Sequence, residues 1–323
     1  MNTKNILVLF PCDDKTRQHV VDAVGDRGRV TFIEPGQDYS AYLPDAHIIL
    51  GEPRNEDFPH CRQLELLQSP CSGVNYYVGG GTFPEKAILC SATGCYGNLI
   101  AEHMLAMTLA LCRRLPEYQE QQKERRWQLL KYDKPLEGST VLILGAGDIG
   151  TTLAKFLRPM VGKIIGVRRN AREYPNCFDE MITLSRLEER LPEADIILCA
   201  LPHTPETIGL LNENRLRKMK KDAVLVNGGR GSLIDQEALG ALLEEGHFWG
   251  VGLEVTTPEP LPVNHPLWNM PRCMITPHAA GNTFAPNSPL VRKIWDFMLR
   301  NLVSYLEGRP LQSRVDFSLG YSK

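Results

Sequence analysis

The sequence lacks the features that mark several large classes of protein. Its formal net charge is only −2, so no strongly basic surface is expected to attract nucleic acid or an anionic membrane. The longest strongly apolar run, at residues 104–112, is far shorter than the roughly 18 to 20 residues that span a bilayer. No segment is repeated or of low complexity. We therefore expect a globular protein without a nucleic-acid or membrane partner.

Cysteines are present, but they form no disulfide or metal-binding pattern. Nine occur, an odd number, and none belongs to a Cys-x-x-Cys pair, which favours free thiols in a reducing compartment. No His-x-x-His or Cys/His cluster suggests a metal site. The first residues lead into a predicted strand and show no signal-peptide pattern. The sequence therefore predicts a cytoplasmic protein without a metal.

Length and hydrophobic pattern indicate an α/β protein. A chain of 323 residues is expected to form about two domains. Short apolar strands are predicted at residues 6–10, 30–33, 47–50 and 87–90, and a second group begins near residue 138. Strands that alternate with helices predict parallel sheets. Ser288 and Pro289 are typical of the cap and first position of a helix, which is predicted to extend to about residue 306.

The most informative motif lies at residues 141–150. Four apolar residues are followed by Gly145, Gly147 and Gly150 in the spacing G-x-G-x-x-G, and then by a helical pattern. Gly145 permits a tight turn, Gly147 lets the backbone approach a pyrophosphate, and Gly150 lets the helix pack against the strand. Free N–H groups at the helix start would hold the phosphates. The alternative is an ordinary turn that binds nothing.

Two arginines bear on the choice of nucleotide. Arg168 and Arg169 follow a predicted strand at residues 164–167, where an acidic residue would bind the ribose 2′-hydroxyl of NAD. Guanidinium groups suit a 2′-phosphate instead. The sequence therefore favours NADP, with NAD possible, and the alternative is a pair of surface arginines.

Three polar residues follow predicted strand ends in the nucleotide-binding half: Arg230, Glu259 and His278. Together they meet the needs of hydride transfer to a 2-oxoacid. Arginine can hold the carboxylate and polarise the ketone, histidine can donate a proton, and a carboxylate can orient the histidine. Singly, each could be a surface ion pair, a solvated carboxylate or a core histidine. His103, in an apolar helix, is interpreted as a core or interface histidine.

Five motifs in order resemble the D-isomer-specific 2-hydroxyacid dehydrogenases. They lie at residues 144–150, 201–207, 227–231, 259–262 and 276–278. The resemblance implies an α/β fold of two doubly wound parallel-sheet domains. A Rossmann-type dinucleotide-binding domain at residues 100–285 would be inserted in a flavodoxin-like substrate-binding domain at residues 1–99 and 286–323. It also implies a cleft that closes over the substrate, and a homodimer.

The resemblance also implies roles for individual residues. Arg230, Glu259 and His278 would be the catalytic set. Ser72, Gly73 and Val74 would present backbone amides to the substrate carboxylate, which Arg230 also binds. With the glycine and arginine motifs, the predicted cofactor-binding set is Gly145, Gly147, Asp148, Ile149, Gly150, Arg168, Arg169, Leu201, Pro202, Thr207, Asn227, Gly228, Gly229, Glu254 and Ala280.

Three positions depart from the usual pattern of the family. Glu254 stands where an aspartate is usual, near the expected nicotinamide amide, Asn75 replaces an aspartate, and Gly97 replaces a frequent threonine. The patterns at residues 262–268 and 310–312 look most like the glyoxylate/hydroxypyruvate reductase branch, which often uses NADPH. The expected function is NAD(P)H-dependent reduction of a small 2-oxoacid to the D-2-hydroxyacid. The alternatives are an NADH-dependent dehydrogenase of bulkier apolar 2-oxoacids and a nucleotide-sensing binding protein on the same fold.

Overall fold

The structure, a computed structural model, describes residues 3–170, 173–281, 285 and 288–322. The chain divides into two compact units: Met1–Tyr96 with Thr283–Lys323, and Gly97–Asn282. The sequence predicts domain boundaries after residues 99 and 285, and the two units of the structure divide after residues 96 and 282. The substrate-binding role of the first unit stays a prediction. In the described part of the chain, no helix is both long and apolar enough to cross a membrane.

The first unit begins with a five-stranded parallel sheet. Its elements are β1 (Lys4–Val8), α1 (Asp14–Val24), β2 (Gly28–Phe32), β3 (Ile48–Leu50), β4 (Leu66–Gln68), α2 (Asn75–Gly79) and β5 (Ile88–Cys90). The strand order β2-β1-β3-β4-β5 is that of flavodoxin-like folds. Strand β4 was not predicted from the sequence, because it has three residues and one of them is the polar Gln68. Asp13 caps α1 by accepting a hydrogen bond from the Thr16 N–H.

The second unit contains a seven-stranded parallel sheet. Its elements are α3 (Gly97–Cys112), α4 (Leu115–Lys123), β6 (Thr140–Leu144), α5 (Asp148–Leu157), β7 (Lys163–Val167), β8 (Glu180–Ile182), α6 (Leu187–Arg190), β9 (Ile196–Cys199), α7 (Glu213–Lys218), β10 (Val224–Asn227), α8 (Gln236–Glu244), β11 (Gly250–Leu253) and β12 (Cys273–Ile275). The strand order is β12-β11-β10-β9-β6-β7-β8. The chain changes direction between β6 and β9, and ligands of such sheets bind beyond the carboxyl ends of the strands at that point.

The last segment returns to the first unit. It comprises α9 (Pro289–Leu306) and an antiparallel pair, β13 (Val315–Asp316) and β14 (Tyr321–Ser322). Ser288 Oγ accepts a hydrogen bond from the Val291 N–H at 3.2 Å, and a proline occupies the first turn, so the predicted helix start is confirmed. Asn301 of α9 donates to Gln68 Oε1 at 2.7 Å, which satisfies the buried amide of β4.

The core of the second unit lies on both faces of its sheet. In β6, Leu142 and Leu144 pack in one hydrophobic cluster, and Val141 and Ile143 pack in another. A strand buried on both faces is typical of a parallel sheet covered by helices. The predicted α/β class with two doubly wound parallel sheets is therefore confirmed.

Candidate active site

The glycine turn after β6 has the geometry that the motif predicts. Gly145 has a φ of 104°, and a Cβ on it would lie 2.7 Å from the carbonyl oxygen of Ala200. A Cβ on Gly150 would lie 2.1 Å from the carbonyl oxygen of Gly145. Neither position has room for a side chain, so both glycines are needed for the strand, turn and helix to pack.

Gly147 differs from the other two glycines because its α-carbon faces open space. Nothing lies within 4 Å of a Cβ built on this residue. The N–H groups of Asp148 and Ile149 begin α5, and no residue in the described ranges accepts a hydrogen bond from them. Unpaired N–H groups at the positive end of a helix bind anions. The turn therefore fits the pyrophosphate of a dinucleotide.

The carboxylate of Asp148 lies against Gly97, the first residue of α3. A Cβ on Gly97 would lie 2.6 Å from both carboxylate oxygens. The threonine that the family frequently has at this position would therefore displace the Asp148 side chain.

The two predicted nucleotide-selecting arginines follow β7, the neighbour of β6. The Gly145 N–H donates to the carbonyl oxygen of Val167 at 3.0 Å, so the end of β7 lies beside the glycine turn. Arg168 is half-buried, and its Nη1 donates to the carbonyl oxygen of Glu173 at 3.2 Å. Arg169 is exposed. The sheet therefore places two arginines next to the glycine turn, and Arg169 Nη2 also lies 3.7 Å from Glu206 Oε2.

The side chain of Thr207 stabilises the conformation of the loop after β9. This residue is buried, and its hydroxyl donates to the carbonyl oxygen of Pro202 at 2.6 Å. The same hydroxyl accepts a hydrogen bond from the Thr204 N–H at 2.9 Å. Leu201 is half-buried and Pro202 is exposed. Thr207 thus holds the loop that presents these two residues at the strand end.

The loop after β10 is held by the side chain of Asn227, which is fully buried. Its Nδ2 donates to the carbonyl oxygen of Arg230 at 2.9 Å, and its Oδ1 accepts from the Gly229 N–H at 3.1 Å. A Cβ on Gly229 would lie 2.6 Å from the carbonyl oxygen of Leu201, and Gly228 is also buried. Asn227, Gly228 and Gly229 therefore join two strand ends and present Arg230, which is half-buried.

The structure brings the predicted carboxylate and imidazole together. Glu259 Oε2 lies 2.8 Å from His278 Nδ1, and Glu259 Oε1 accepts a hydrogen bond from the Thr256 N–H at 3.1 Å. A Cβ on Gly231 would lie 1.9 Å from the carbonyl oxygen of Thr256, so the loop that bears Arg230 lies against the loop that bears Glu259. The His278 side chain is 49% exposed, so a substrate can reach it.

Glu254 occupies a buried network directly after β11. Its Oε1 accepts from the Ala280 N–H at 2.5 Å, and its Oε2 accepts from the Thr276 hydroxyl and lies 3.1 Å from His103 Nε2. The sequence interpretation of His103 as a core or interface histidine missed this pairing. The available signal was an acidic residue at the end of an apolar strand together with a histidine in an apolar helix.

Two cysteines of the sheet are poor candidates for a nucleophile. Burial raises the pKa of Cys273 to about 12, and it also raises the pKa of Cys199 at the end of β9. Thiols with a raised pKa stay protonated at neutral pH and pack as small apolar groups. Neither thiol is therefore expected to react at this edge of the sheet.

The predicted carboxylate-binding loop belongs to the first unit and follows β4. In the described part of the chain, no atom accepts a hydrogen bond from the N–H groups of Ser72, Gly73 or Val74. Ser72 Oγ lies 3.5 Å from Thr93 Oγ1. Successive unpaired N–H groups bind anions, so this loop can bind a carboxylate.

Comparisons with known proteins agree with this geometry. The profile described as D-isomer specific 2-hydroxyacid dehydrogenase, NAD binding domain, matches residues 105–280, more than half of the chain. The glyoxylate reductase/hydroxypyruvate reductase of Mus musculus is 33% identical over 229 residues, which cover 69% of this chain and 68% of that protein.

Solved structures of similar proteins cover nearly the whole chain. A D-isomer specific 2-hydroxyacid dehydrogenase family protein from Aeromonas salmonicida is 31% identical, with a TM-score of 0.86 over 98% of this chain and 100% of that one. The D-isomer specific 2-hydroxyacid dehydrogenase from Xanthobacter autotrophicus, crystallised with NADPH and MES, is 25% identical, with a TM-score of 0.83 over 99% and 100%. The chain therefore belongs to the D-isomer specific 2-hydroxyacid dehydrogenase family, and residues 105–280 form the NAD-binding domain of this enzyme.

Proposed function

We propose that this enzyme reduces a small 2-oxoacid, of the size of glyoxylate or hydroxypyruvate, to the D-2-hydroxyacid and prefers NADPH. The observation that carries the proposal is the contact of 2.8 Å between Glu259 and His278. This pair lies at the carboxyl edge of the same sheet as the open glycine turn. The similarity to the mouse glyoxylate reductase/hydroxypyruvate reductase supports the substrate class.

The cofactor would supply the hydride, and the residues that would hold it are those of the strand ends. The N–H groups of Asp148 and Ile149 would bind the pyrophosphate because they have no acceptor within the described residues. Arg168 and Arg169 would bind the 2′-phosphate, for which planar guanidinium groups are suited. The structure solved with NADPH from Xanthobacter autotrophicus supports this preference.

His278 would donate the proton to the substrate oxygen. Glu259 accepts from Nδ1 and so orients the ring, while Nε2 has no hydrogen-bond partner in the described part of the chain. An imidazole oriented in this way can donate a proton as a general acid. Arg230 would bind the substrate carboxylate and polarise the ketone. The Ser72, Gly73 and Val74 amides are proposed as a second carboxylate-binding group.

The proposal is tested by an activity matrix of substrates and cofactors. Glyoxylate, hydroxypyruvate and bulkier apolar 2-oxoacids are each assayed with NADPH and NADH, by loss of nicotinamide absorbance. We expect the highest kcat/KM for a small oxoacid with NADPH. A preference for bulky oxoacids with NADH would support the alternative dehydrogenase. Nucleotide binding without turnover would support a nucleotide-sensing binding protein.

A single variant tests the role of the acid. We expect His278→Gln to lower kcat by about 10² to 10⁴-fold, the range for a lost general acid. The Kd of NADPH should change little, because the substitution leaves in place the N–H groups of Asp148 and Ile149 that are proposed to bind the pyrophosphate. An unchanged kcat would remove His278 from the reaction.

We also propose a cytoplasmic homodimer. All nine cysteines are free thiols, which suits a reducing compartment. Trp127, Leu129 and Tyr132 are exposed to 104%, 85% and 73%, and an apolar surface of this kind is typical of a subunit contact. The dimer is tested by measuring the molar mass of the purified wild type and of Trp127→Glu by light scattering.

A further inference from the structure

Glu254 is the most deeply buried carboxylate near the catalytic edge, and its hydrogen bonds are all internal. The residue is 1% exposed. Oε1 accepts from the Ala280 N–H, and Oε2 accepts from the Thr276 hydroxyl. A buried carboxylate requires such donors because it has lost its water. Both oxygens are therefore engaged by the protein itself.

The two donors bracket the catalytic histidine. Thr276 lies two residues before His278, and Ala280 lies two residues after it. The carbonyl oxygen of Glu254 also accepts from the His278 N–H at 2.9 Å. One residue therefore fixes this loop at its beginning, its middle and its end.

The backbone of His278 has an uncommon conformation. Its φ is 52°, in the left-handed region that residues with a side chain rarely adopt. Residues in such conformations persist only where their surroundings impose them, and they cluster at functional sites. The side chain leaves the backbone in the direction of Glu259 only while this conformation holds, so losing the hydrogen bonds to Glu254 would move the imidazole.

His103 completes the network from helix α3. Its Nε2 lies 3.1 Å from Glu254 Oε2 and 3.1 Å from the Thr276 hydroxyl oxygen. The Thr276 hydroxyl donates to Glu254, so its oxygen accepts from Nε2–H of His103, which thereby orients the hydroxyl. The His103 side chain is 27% exposed, whereas that of Glu254 is 2% exposed. Helix α3 is thus connected to the loop of residues 276–280 through the Thr276 hydroxyl, with Glu254 beside the contact.

We propose that Glu254, together with Thr276 and His103, is a positioning group that holds His278 in its catalytic orientation. It acts through the loop of residues 276–280 instead of contacting the nicotinamide, which is the contact that the family resemblance implies for this position. The inference rests on the proposed role of His278 as the acid. It explains why this chain has a glutamate, whose longer side chain reaches the Ala280 N–H, at a position where aspartate is usual.

The test compares a variant that lacks the Thr276 hydroxyl with a control variant that lacks a buried hydroxyl elsewhere in the protein. Thr276→Val deletes the donor to Glu254. Thr108→Val deletes a buried hydroxyl of α3 that donates to the carbonyl oxygen of Met104 at 2.7 Å. We expect Thr276→Val to lower kcat by about 10 to 10²-fold, since a small misplacement of a catalytic group has an effect of this size. Thr108→Val should stay within about twofold of the wild type, and Thr276→Ser, which keeps the hydroxyl, should restore most of the rate.

A second variant separates positioning from cofactor contact. In Glu254→Gln only one acceptor oxygen remains, so either Thr276 or the Ala280 N–H loses its acceptor. We expect a similar loss of kcat, with the Kd of NADPH within about twofold of the wild type. A Kd that rises about tenfold or more while kcat is unchanged would overturn the proposal in favour of direct contact. So would wild-type kcat in both Glu254→Gln and Thr276→Val.

Nitrogen-15 NMR of the histidine side chains gives a readout that does not depend on turnover. In the wild type, with the ring neutral, His278 should carry its hydrogen on Nδ1, facing Glu259. Thr276→Val should shift this ring towards a mixture of tautomers, and Thr108→Val should not. An unchanged His278 spectrum in Thr276→Val would refute the positioning role, whether or not the wild type reduces an oxoacid. A wild type that reduces no oxoacid would by itself refute only the proposed function.

Discussion

The difference between Gly147 and its neighbouring glycines predicts a variant that folds but binds nucleotide poorly. Gly147 has φ −88° and ψ −151°, an extended backbone that alanine also adopts. A methyl group on Gly147 would meet no protein atom within 4 Å. It would instead occupy the space beside the N–H groups of Asp148 and Ile149, where a phosphate oxygen must come within hydrogen-bonding distance.

The expected magnitudes follow from these contacts. Alanine is a poorer helix cap than glycine, so Gly147→Ala should lower the free energy of unfolding by only about 0.5 to 1 kcal/mol. Displacing the phosphates should raise the Kd of NADPH about 10 to 100-fold, which is about 1.4 to 2.8 kcal/mol of binding energy. The two quantities are measured by thermal unfolding and by fluorescence titration with NADPH.

Two control variants make the result interpretable. Gly240 of α8 also has no atom within 4 Å of a Cβ, and Gly240→Ala should leave NADPH affinity unchanged while stabilising the helix by up to about 1 kcal/mol. Gly150→Ala should destabilise the fold because its Cβ would lie 2.1 Å from the carbonyl oxygen of Gly145. If Gly147→Ala binds NADPH as the wild type does, the pyrophosphate does not lie at this turn and the reasoning fails.

Two further predictions concern the nucleotide and acid stability. Arg168→Asp should lower the ratio of kcat/KM for NADPH to that for NADH at least tenfold, because a charge-assisted contact worth about 1.5 to 3 kcal/mol is lost; an unchanged ratio would contradict the phosphate contact. Burial raises the pKa of Asp195, but hydrogen bonds from Lys220 and the Thr140 N–H lower it below its ordinary value of 3.8 overall. The ionised carboxylate of Asp195 therefore stabilises the folded state above pH 3.8, and this stabilisation is lost as the pH falls through the lower pKa of the folded state. Asp195→Asn should unfold more easily at pH 7, by about 1 to 2 kcal/mol, and the difference should narrow in thermal melts below pH 3.8; a constant difference would contradict the assignment.

Local patterns were enough to predict much of the fold. The strand, glycine turn and helix at residues 141–150 depend on neighbours in the sequence, as does the helix start at Ser288 and Pro289. The strand β4 could not be predicted in this way. Its buried Gln68 is satisfied by Asn301, which lies 233 residues away, and no periodicity in the sequence reports such a partner.

The residues of the candidate site also divide into those that local sequence predicts and those whose contacts depend on distant parts of the chain. Arg230, Glu259 and His278 could be chosen from the sequence because each follows a strand end among glycines or prolines. The contacts of Glu254 could not be predicted, because its donors lie in the loop after β12 and His103 approaches it from α3. The sequence also gave no indication that the Thr207 hydroxyl points into its own loop, where Pro202 accepts its hydrogen.

The close contacts between neighbouring strand ends restrict how this enzyme can be redesigned. Gly229 lies against the backbone of Leu201, and Gly231 lies against the backbone of Thr256, with no space for even one added carbon. Lengthening or exchanging any one of these loops would push against the next. Attempts to broaden the range of accepted oxoacids are therefore expected to succeed by replacing outward-facing side chains while the lengths of these segments are kept.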